Sequence, residues 1–279
     1  MTSKPAVLYV TDPHYAAQGG RTYGAEDVHL TDRLSDNFAI TTCTPAQAPE
    51  LMKRYELVVV RNSGPVIHYR SVYERFCKEA VRAGCLLYNE LRGKADMAGK
   101  DYLPRLFREG YPVIPTITQH EPLDALPAAA GYVIKPLWGA DSIGLRRLTP
   151  HGAATADRTG HLLQPHIPFR YEVSFYFVDD TFQYALYAPD SAARWSLQPY
   201  QATVADLDFA RSFIAWNDIR HGIQRVDACR TKDGRLLLME IEDLNPYLSL
   251  DRVSDSTRDA FIESFRAALD RRLATAPHA

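Results

Sequence analysis

The residues with the most chemistry in this sequence sit late in the chain, as Arg225-Val-Asp227 and Met239-Glu240-Ile-Glu242, with Thr231-Lys-Asp-Gly234 between them. Asp-Gly between alternating segments predicts a β-hairpin with a two-residue turn at Asp233-Gly234. In that register Asp227 lies opposite Glu240, and Arg225 lies opposite Glu242. Side chains alternate along a strand, so all four share one face, while Val226, Ala228, Met239 and Ile241 share the apolar one. A turn longer by one residue would send the acids to opposite faces. Opposed carboxylates repel by a few tenths up to about 1 kcal/mol even on a wet sheet, which calls for a cation. Oxygen-only ligands suit Mg²⁺ or Mn²⁺ rather than Zn²⁺. The alternative is a solvated face on which Arg225 neutralises its neighbours. Asp243-Leu-Asn245-Pro246 follows directly and adds a side-chain amide beside the acids.

A second group surrounds Lys135-Pro-Leu-Trp-Gly139-Ala-Asp-Ser142-Ile-Gly144. Small residues after a strand let backbone N–H groups approach phosphate oxygens, Ser142 adds a hydroxyl, and Lys135 aims an ammonium at the same anion. The GxxxxGK[ST] spacing of a Walker loop is absent, as is the GxGxxG dinucleotide fingerprint in Gln18–Gly24, which reads as a mobile substrate-side loop. Glu172 heads an otherwise apolar strand and could accept from a sugar hydroxyl. Polar residues end two early strands, Asp12 and His14 after the first, and Arg61, Asn62 and Ser63 after the third. Strand ends of a parallel sheet are where ligands bind.

The elements that would position these groups follow from periodicity. Ala6–Thr11, Phe38–Cys43, Leu57–Val60 and Cys85–Tyr88 read as strands, the third buried on both faces, with a helix over Tyr69–Ala83 closed by Gly84. Strands alternating with helical stretches imply an open parallel sheet. Beyond it the sequence predicts a helix at Lys100–Glu109 and strands at Val113–Ile117, Tyr132–Pro136, His161–Ile167, Tyr171–Val178 and Phe182–Ala188. Helices at Val204–Trp216 and Ser256–Leu273 complete a mixed α/β (α+β) chain, whose last residues fray.

Composition sets outer limits. The chain has 279 residues, is 46% hydrophobic and 24% charged, and carries a net charge of −2. That is the profile of a globular protein with a sizeable core and gives no electrostatic case for nucleic acid or an anionic membrane. No signal-peptide core or membrane-length apolar run is present. The four cysteines lack CxxC pairing and read as reduced thiols of a cytoplasmic protein.

Taken in order, "AGKDYLPRLFREGYPVIPT", "YVIKPLWGADSIGLRR", "LLQPHI", "YEVSFYF" and "RVDACRTKDGRLLLMEIEDLNP" resemble the ATP-grasp superfamily of D-Ala–D-Ala ligase, glutathione synthetase and the ribosomal-protein glutamate ligase. The matching pieces run from about residue 89 to 246. "VVVRNS" leading to "NELRGKADMAGKDYL" looks most like the group that contains the cyclising D-cycloserine ligase, although Asn62-Ser-Gly-Pro65 replaces the Trp-Asp-Tyr-like segment usual there. The resemblance implies an N-terminal α/β domain (1–95) on the substrate side. It further implies a central subdomain (96–165) with the glycine-rich lid and a C-terminal subdomain (166–279) with the metal site.

By the same resemblance, Lys100 and Lys135 hold the α- and β-phosphates of ATP, and Gly139 to Gly144, with Ser142, form the loop over the β- and γ-phosphates. Gln164, His166 and Ile167 form the adenine hinge, Glu172 holds the ribose, and Arg194 stands where some relatives carry a further phosphate-binding Lys. Arg225 meets the transferred phosphoryl group, while Asp227, Glu240 and Glu242 bind two Mg²⁺. The family's Asn falls two residues after the second acid, so the last ligand is either Glu242 or Asn245. The implied activity is an ADP-forming ligase that joins a small amino-acid-like carboxylate to an amine, between molecules or within one. Asp12, His14, Arg61, Asn62 and Ser63 would contact that substrate, and the group allows a homodimer. A small-molecule kinase and a non-catalytic nucleotide binder are the alternatives on the same scaffold.

Overall fold

Short runs of Val, Leu and Ile separated by amphipathic stretches can bury both faces of a sheet only by pairing side by side beneath their helices. In the computed structural model, which describes residues 3–12, 23–61, 70–139, 143–190, 193 and 195–275, the first ninety residues do this. Strands β1 (Ala6–Val10), β2 (Ala39–Cys43), β3 (Leu57–Val60) and β4 (Leu87–Tyr88) form an all-parallel sheet in the order β2-β1-β3-β4. Every residue of β3 is buried. Helix α1 (Tyr23–Leu34) joins β1 to β2, α2 (Ala48–Leu51) follows β2, and α3 (Arg70–Ala83) leads into β4.

Helix α1 escapes a reading by periodicity because the face it buries mixes charge with apolar groups: Glu26 and Asp27 are buried beside Leu30 and Leu34, while Val28 is exposed. The reason is Arg61, 1% exposed at the end of β3. Its Nη2 donates to Glu26 Oε2 and its Nε to Asp27 Oδ1, both at 3.3 Å, and Nη1 donates to the Pro246 carbonyl at 2.7 Å. Glu26 in turn accepts from the backbone N–H groups of Leu248 and Leu250 at 2.9 and 3.1 Å. Asp27 accepts from the Tyr9 hydroxyl at 2.9 Å and from Thr11. Arg61, expected at the substrate, is instead an internal tie between the parallel sheet and the segment after the acidic hairpin.

Burial pushes the Glu26 carboxyl up to about 7, against the opposing pull of Arg61. The folded state therefore holds that proton more tightly than the unfolded chain does. The stabilisation is complete below about 4.5, the unfolded value, and is lost as pH rises through about 7. The expected result is that the stability gap between the wild type and Glu26→Gln, measured by chemical unfolding, shifts in favour of the variant between pH 4.5 and 7. A gap that does not vary with pH would contradict the assignment.

The rest of the chain builds two antiparallel sheets. After α4 (Tyr102–Arg108), strands β5 (Tyr132–Pro136), β6 (Arg146–Leu148) and β7 (His161–Pro165) form a three-stranded sheet in the order β6-β5-β7, with α5 (Pro150–Thr155) before β7. Strands β8 (Phe169–Val178), β9 (Thr181–Ala188), β10 (Gln198–Pro199), β11 (Ile223–Thr231) and β12 (Leu236–Glu242) form a five-stranded sheet ordered β10-β9-β8-β11-β12. Helix α6 (Val204–Asn217) opens on a capping box between Thr203 and Asp206, and α7 (Asp255–Ala274) is capped by Ser254. Phe261 and Phe265 of α7 bury against Tyr184 of β9 and Tyr88 of β4, so one helix closes the core across two sheets. Among the described residues no helix is long and apolar enough to cross a membrane.

Residues 113–117, expected as a strand, are a strap between these sheets. Pro115 lacks the N–H that a ladder needs, and only single bridges form, Val113 with Leu238 and Ile117 with Leu163. The Ile114 N–H donates to Leu238 O at 3.1 Å, and Ile117 exchanges two bonds with Leu163 at 2.9 and 3.0 Å. The strap thereby fixes how β7 and β12 face each other.

Candidate active site

The hairpin of β11 and β12 carries the acids, but not through the turn expected. Thr231 N–H donates to Arg235 O at 2.9 Å, so the loop holds three residues, Lys232-Asp233-Gly234, with Gly234 at φ +91°. Near the loop the strands pair as Arg230 with Leu236 and Ala228 with Leu238, one residue out of the predicted register. A bulge between Asp227 and Ala228 then absorbs Met239 and restores the predicted pairs, Asp227 with Glu240 and Arg225 with Glu242. The longer turn and the bulge cancel at the acids. They do not cancel at Met239: Leu238 joins Val226, Ala228 and Ile241 in the apolar core, and Met239 is half-buried on the wall of a cleft.

On the shared face, one carboxylate oxygen each from Asp227, Glu240 and Glu242 lies within 4.8 Å of the others. Arg225 spans two of them, its Nη2 donating to Asp227 Oδ2 at 2.8 Å and to Glu242 Oε1 at 2.6 Å, and its Nη1 to Tyr247 O at 2.9 Å. Burial works against this guanidinium's charge, and Asp227 and Glu242 more than restore it, keeping its pKa well above the ordinary value. Burial likewise pushes Glu242 well above the usual carboxylate range, against the pull of Arg225.

Lys100 holds the third acid. Its ammonium lies 2.5 Å from Glu240 Oε2 and 2.5 Å from Asp96 Oδ2. Asp96 also accepts from the Tyr102 hydroxyl at 2.9 Å, whose oxygen takes the Ile241 N–H at 2.7 Å. Burial disfavours the charge on Lys100, yet Asp96 and Glu240 keep it above the usual lysine range. Burial pushes Glu240 up as well, but Lys100 and then Lys135 outweigh it and hold the carboxyl down to about 2. Asp96, four residues before Lys100, is a partner that sequence reasoning missed.

Lys135, on β5, points across the same space, its Nζ 3.5 Å from Met239 O. Burial, and then the neighbouring Lys100 ammonium, bring its pKa down to about 8. A cavity of about 400 Å³ opens between the three-stranded sheet and the acidic hairpin. Lys100, Lys135, Gly139, Gln164, His166, Ile167, Glu172 and Glu240 all line it, so residues chosen from five separate stretches of sequence share one cleft. Arg147 of β6, not anticipated, lines it too. Gly99, at φ +91°, leaves room for the Trp138 ring 3.1 Å from where a Cβ would stand, which seats the start of the loop that follows β5.

Other expected residues lie elsewhere. Gly144 sits at the base of the β5–β6 connection, exposed, where a Cβ would stand 2.8 Å from Pro136. Asp12 is half-buried just after β1, and Asn245 is half-buried three residues beyond Glu242. His14, Asn62, Ser63, Ser142 and Arg194 lie outside the described residues, as does most of the Gln18–Gly24 loop.

All-oxygen ligands converging within 4.8 Å fit a hard divalent cation such as Mg²⁺. Four carboxylates, those of Asp96, Asp227, Glu240 and Glu242, here face the three cationic groups of Lys100, Lys135 and Arg225. A cleft walled by two lysines, and ending at acids able to hold such an ion, suits a polyanion bound with a metal.

No family model and no curated protein matches the sequence. Solved structures do match. D-cycloserine synthetase DcsG is 21% identical with a TM-score of 0.72, over 96% of this chain and 99% of that one. D-alanyl-alanine synthetase A from Vibrio cholerae O1 biovar eltor str. N16961 is 14% identical with a TM-score of 0.67, over 99% and 100%. The ATP-grasp ligase PsnB, complexed with a phosphomimetic variant of its minimal precursor, Mg and ADP, is 15% identical with a TM-score of 0.65, over 96% and 100%. The fold of this chain is therefore the one these ATP-grasp ligases share.

Proposed function

We propose that this chain is an ATP-dependent, ADP-forming ligase that activates a small amino-acid-like carboxylate as an acyl phosphate for attack by an amine. The observation that carries the reading is the junction of the acid cluster with the cleft. Asp227, Glu240 and Glu242 converge within 4.8 Å, and Glu240 also lines the cleft with Lys100 and Lys135. The fold supports the reading by likeness, and since one fold hosts many substrates, the substrate must come from the site itself.

Phosphoryl transfer to a carboxylate brings two anions together, so the site's task is to supply positive charge and position rather than a nucleophile. Lys135 and Lys100 receive the phosphate tail, and an arriving polyphosphate offsets the ammonium repulsion that lowers the Lys135 pKa. Gly139 adds no side chain between backbone and phosphate. Arg225 stands beside the acids to meet the phosphoryl group in flight. Asp227 and Glu240, with Glu242 or Asn245, would hold Mg²⁺, which would supply charge neutralisation to the phosphate tail. The substrate carboxylate attacks the γ-phosphorus and ADP leaves; the amine then attacks the acyl carbon and inorganic phosphate leaves.

A screen of amino acids and their derivatives for ADP release, with free phosphate and product mass read in parallel, tests this. A ligase yields ADP and free phosphate in equal amounts, together with a product that has lost water. A kinase on the same scaffold would make ADP without phosphate, and a pure binder would release neither. Either outcome would overturn the ligase reading.

A further inference from the structure

Thr116 carries no charge and is 1% exposed in the strap between β7 and β12. Its hydroxyl donates to the Ile114 carbonyl at 2.7 Å and accepts from Gln164 Nε2 at 2.8 Å. Chemistry forces the direction of that chain. A carbonyl oxygen only accepts, so the single hydroxyl proton goes to Ile114. What remains on the Thr116 oxygen is acceptor capacity, so the end of the Gln164 amide that faces it must be the NH₂.

The Gln164 carboxamide oxygen is therefore turned away from Thr116. Gln164 lines the cleft, and no described residue donates to that oxygen. Farther along the same wall, His166 gives its N–H to Gly131 O at 2.9 Å, while the Ile167 N–H takes no partner among the described residues. The wall thus offers a base one fixed acceptor, Gln164 Oε1, and one fixed donor, Ile167 N–H. A 6-amino purine presents the complementary pair, an amino donor beside the N1 acceptor. A 6-oxo purine presents the reverse, an oxygen acceptor beside an N1–H donor.

We propose that Thr116 is a positioning residue that sets the purine selectivity of this cleft, by locking the Gln164 amide so that its oxygen meets a 6-amino and not a 6-oxo group. The inference rests on the reading that the cleft takes a nucleotide. Without the hydroxyl the amide is free to turn over, and its NH₂ then serves a 6-oxo purine. A buried acceptor left facing an acceptor costs more than the loss of one neutral hydrogen bond, so the selectivity at stake is about ten-fold or greater.

The test is the ratio of ADP to GDP affinity, by calorimetry with Mg²⁺ present, for the wild type, Thr116→Val, Thr116→Ser and Gln164→Leu. The wild type is expected to favour ADP, Thr116→Val to reduce that ratio by about ten-fold or more, and Thr116→Ser, which keeps the hydroxyl, to stay within about two-fold. Should Thr116→Val not fold, Gln164→Leu decides instead, since it removes the locked amide and should collapse the ratio as well. An unchanged ratio in folded Thr116→Val or Gln164→Leu, or equal binding of ADP and GDP by the wild type, overturns the proposal and leaves the nucleotide reading standing. Failure of the wild type to bind either nucleotide overturns the nucleotide reading itself.

Discussion

Glu240→Gln is expected to lower the rate of substrate-dependent ADP release by roughly a thousand-fold, because a Lewis-acid contact to a phosphoryl oxygen is worth several kcal/mol. The amide keeps the size and an acceptor oxygen, but no longer offers the charge that draws a divalent ion. Glu240 is the acid that joins the two halves of the site, since it belongs to the three-carboxylate cluster and also holds Lys100 at the cleft. The fold should tolerate the change: Lys100 retains Asp96 at 2.5 Å, and the β11–β12 ladder is untouched. Melting within a few degrees of the wild type, with activity gone, is the combined result expected. Undiminished ADP release by a folded variant would remove Glu240 from the chemistry.

Arg61→Met is expected to destabilise the protein by about 3–5 kcal/mol at pH 8, because it removes the only cation paired with Glu26 and Asp27 among the described residues and leaves two buried carboxylates behind. Methionine roughly preserves the volume, so the loss reports charge rather than a cavity. The sign of the pH dependence follows from protonation. Burial already raises both Glu26 and Asp27, and without the guanidinium each takes a proton more readily. The penalty should therefore shrink at pH 5, where a neutral Glu26 needs no counter-ion, and grow toward pH 8. Guanidinium unfolding at the two pH values checks it. A loss below about 1 kcal/mol at pH 8 would mean the triad is not a structural tie. Because Arg61 also holds the Pro246 carbonyl at 2.7 Å, activity should fall together with stability in this variant, unlike in Glu240→Gln.

These two residues show what could be read in advance. Leu57–Val60 and its neighbours announce a parallel sheet because continuous apolar runs have few other solutions. The pairing of Asp227 with Glu240 could be anticipated too, yet by a route the molecule does not take. The turn holds an extra residue, and a bulge at Met239, with no signature in residue type, returns the strands to register. Helix α1 hides from periodicity because Glu26 and Asp27 interrupt the apolar face that Leu30 and Leu34 bury. Arg61's place at a strand end points to the substrate, a rule blind to the buried carboxylates of Glu26 and Asp27 that meet it. Asp96 and Thr116 fall inside stretches that resemble the family, but nothing in their residue types shows that Asp96 shares the Lys100 ammonium with Glu240 or that Thr116 meets the Gln164 amide. Pattern located the groups that bear charge; the residues that hold those groups in place emerged only from packing.

In the proposed function, the acids of the β11–β12 hairpin and the lysine-walled cleft form one site for a nucleotide and its metal. Calorimetric titration of ADP into the wild type and Glu240→Gln, each with and without Mg²⁺, tests this most directly. Mg²⁺ is expected to tighten ADP binding to the wild type at least about ten-fold, and the variant to bind ADP but lose the gain from Mg²⁺. Equal Mg²⁺ dependence in the two proteins, or no ADP binding by either, would contradict it.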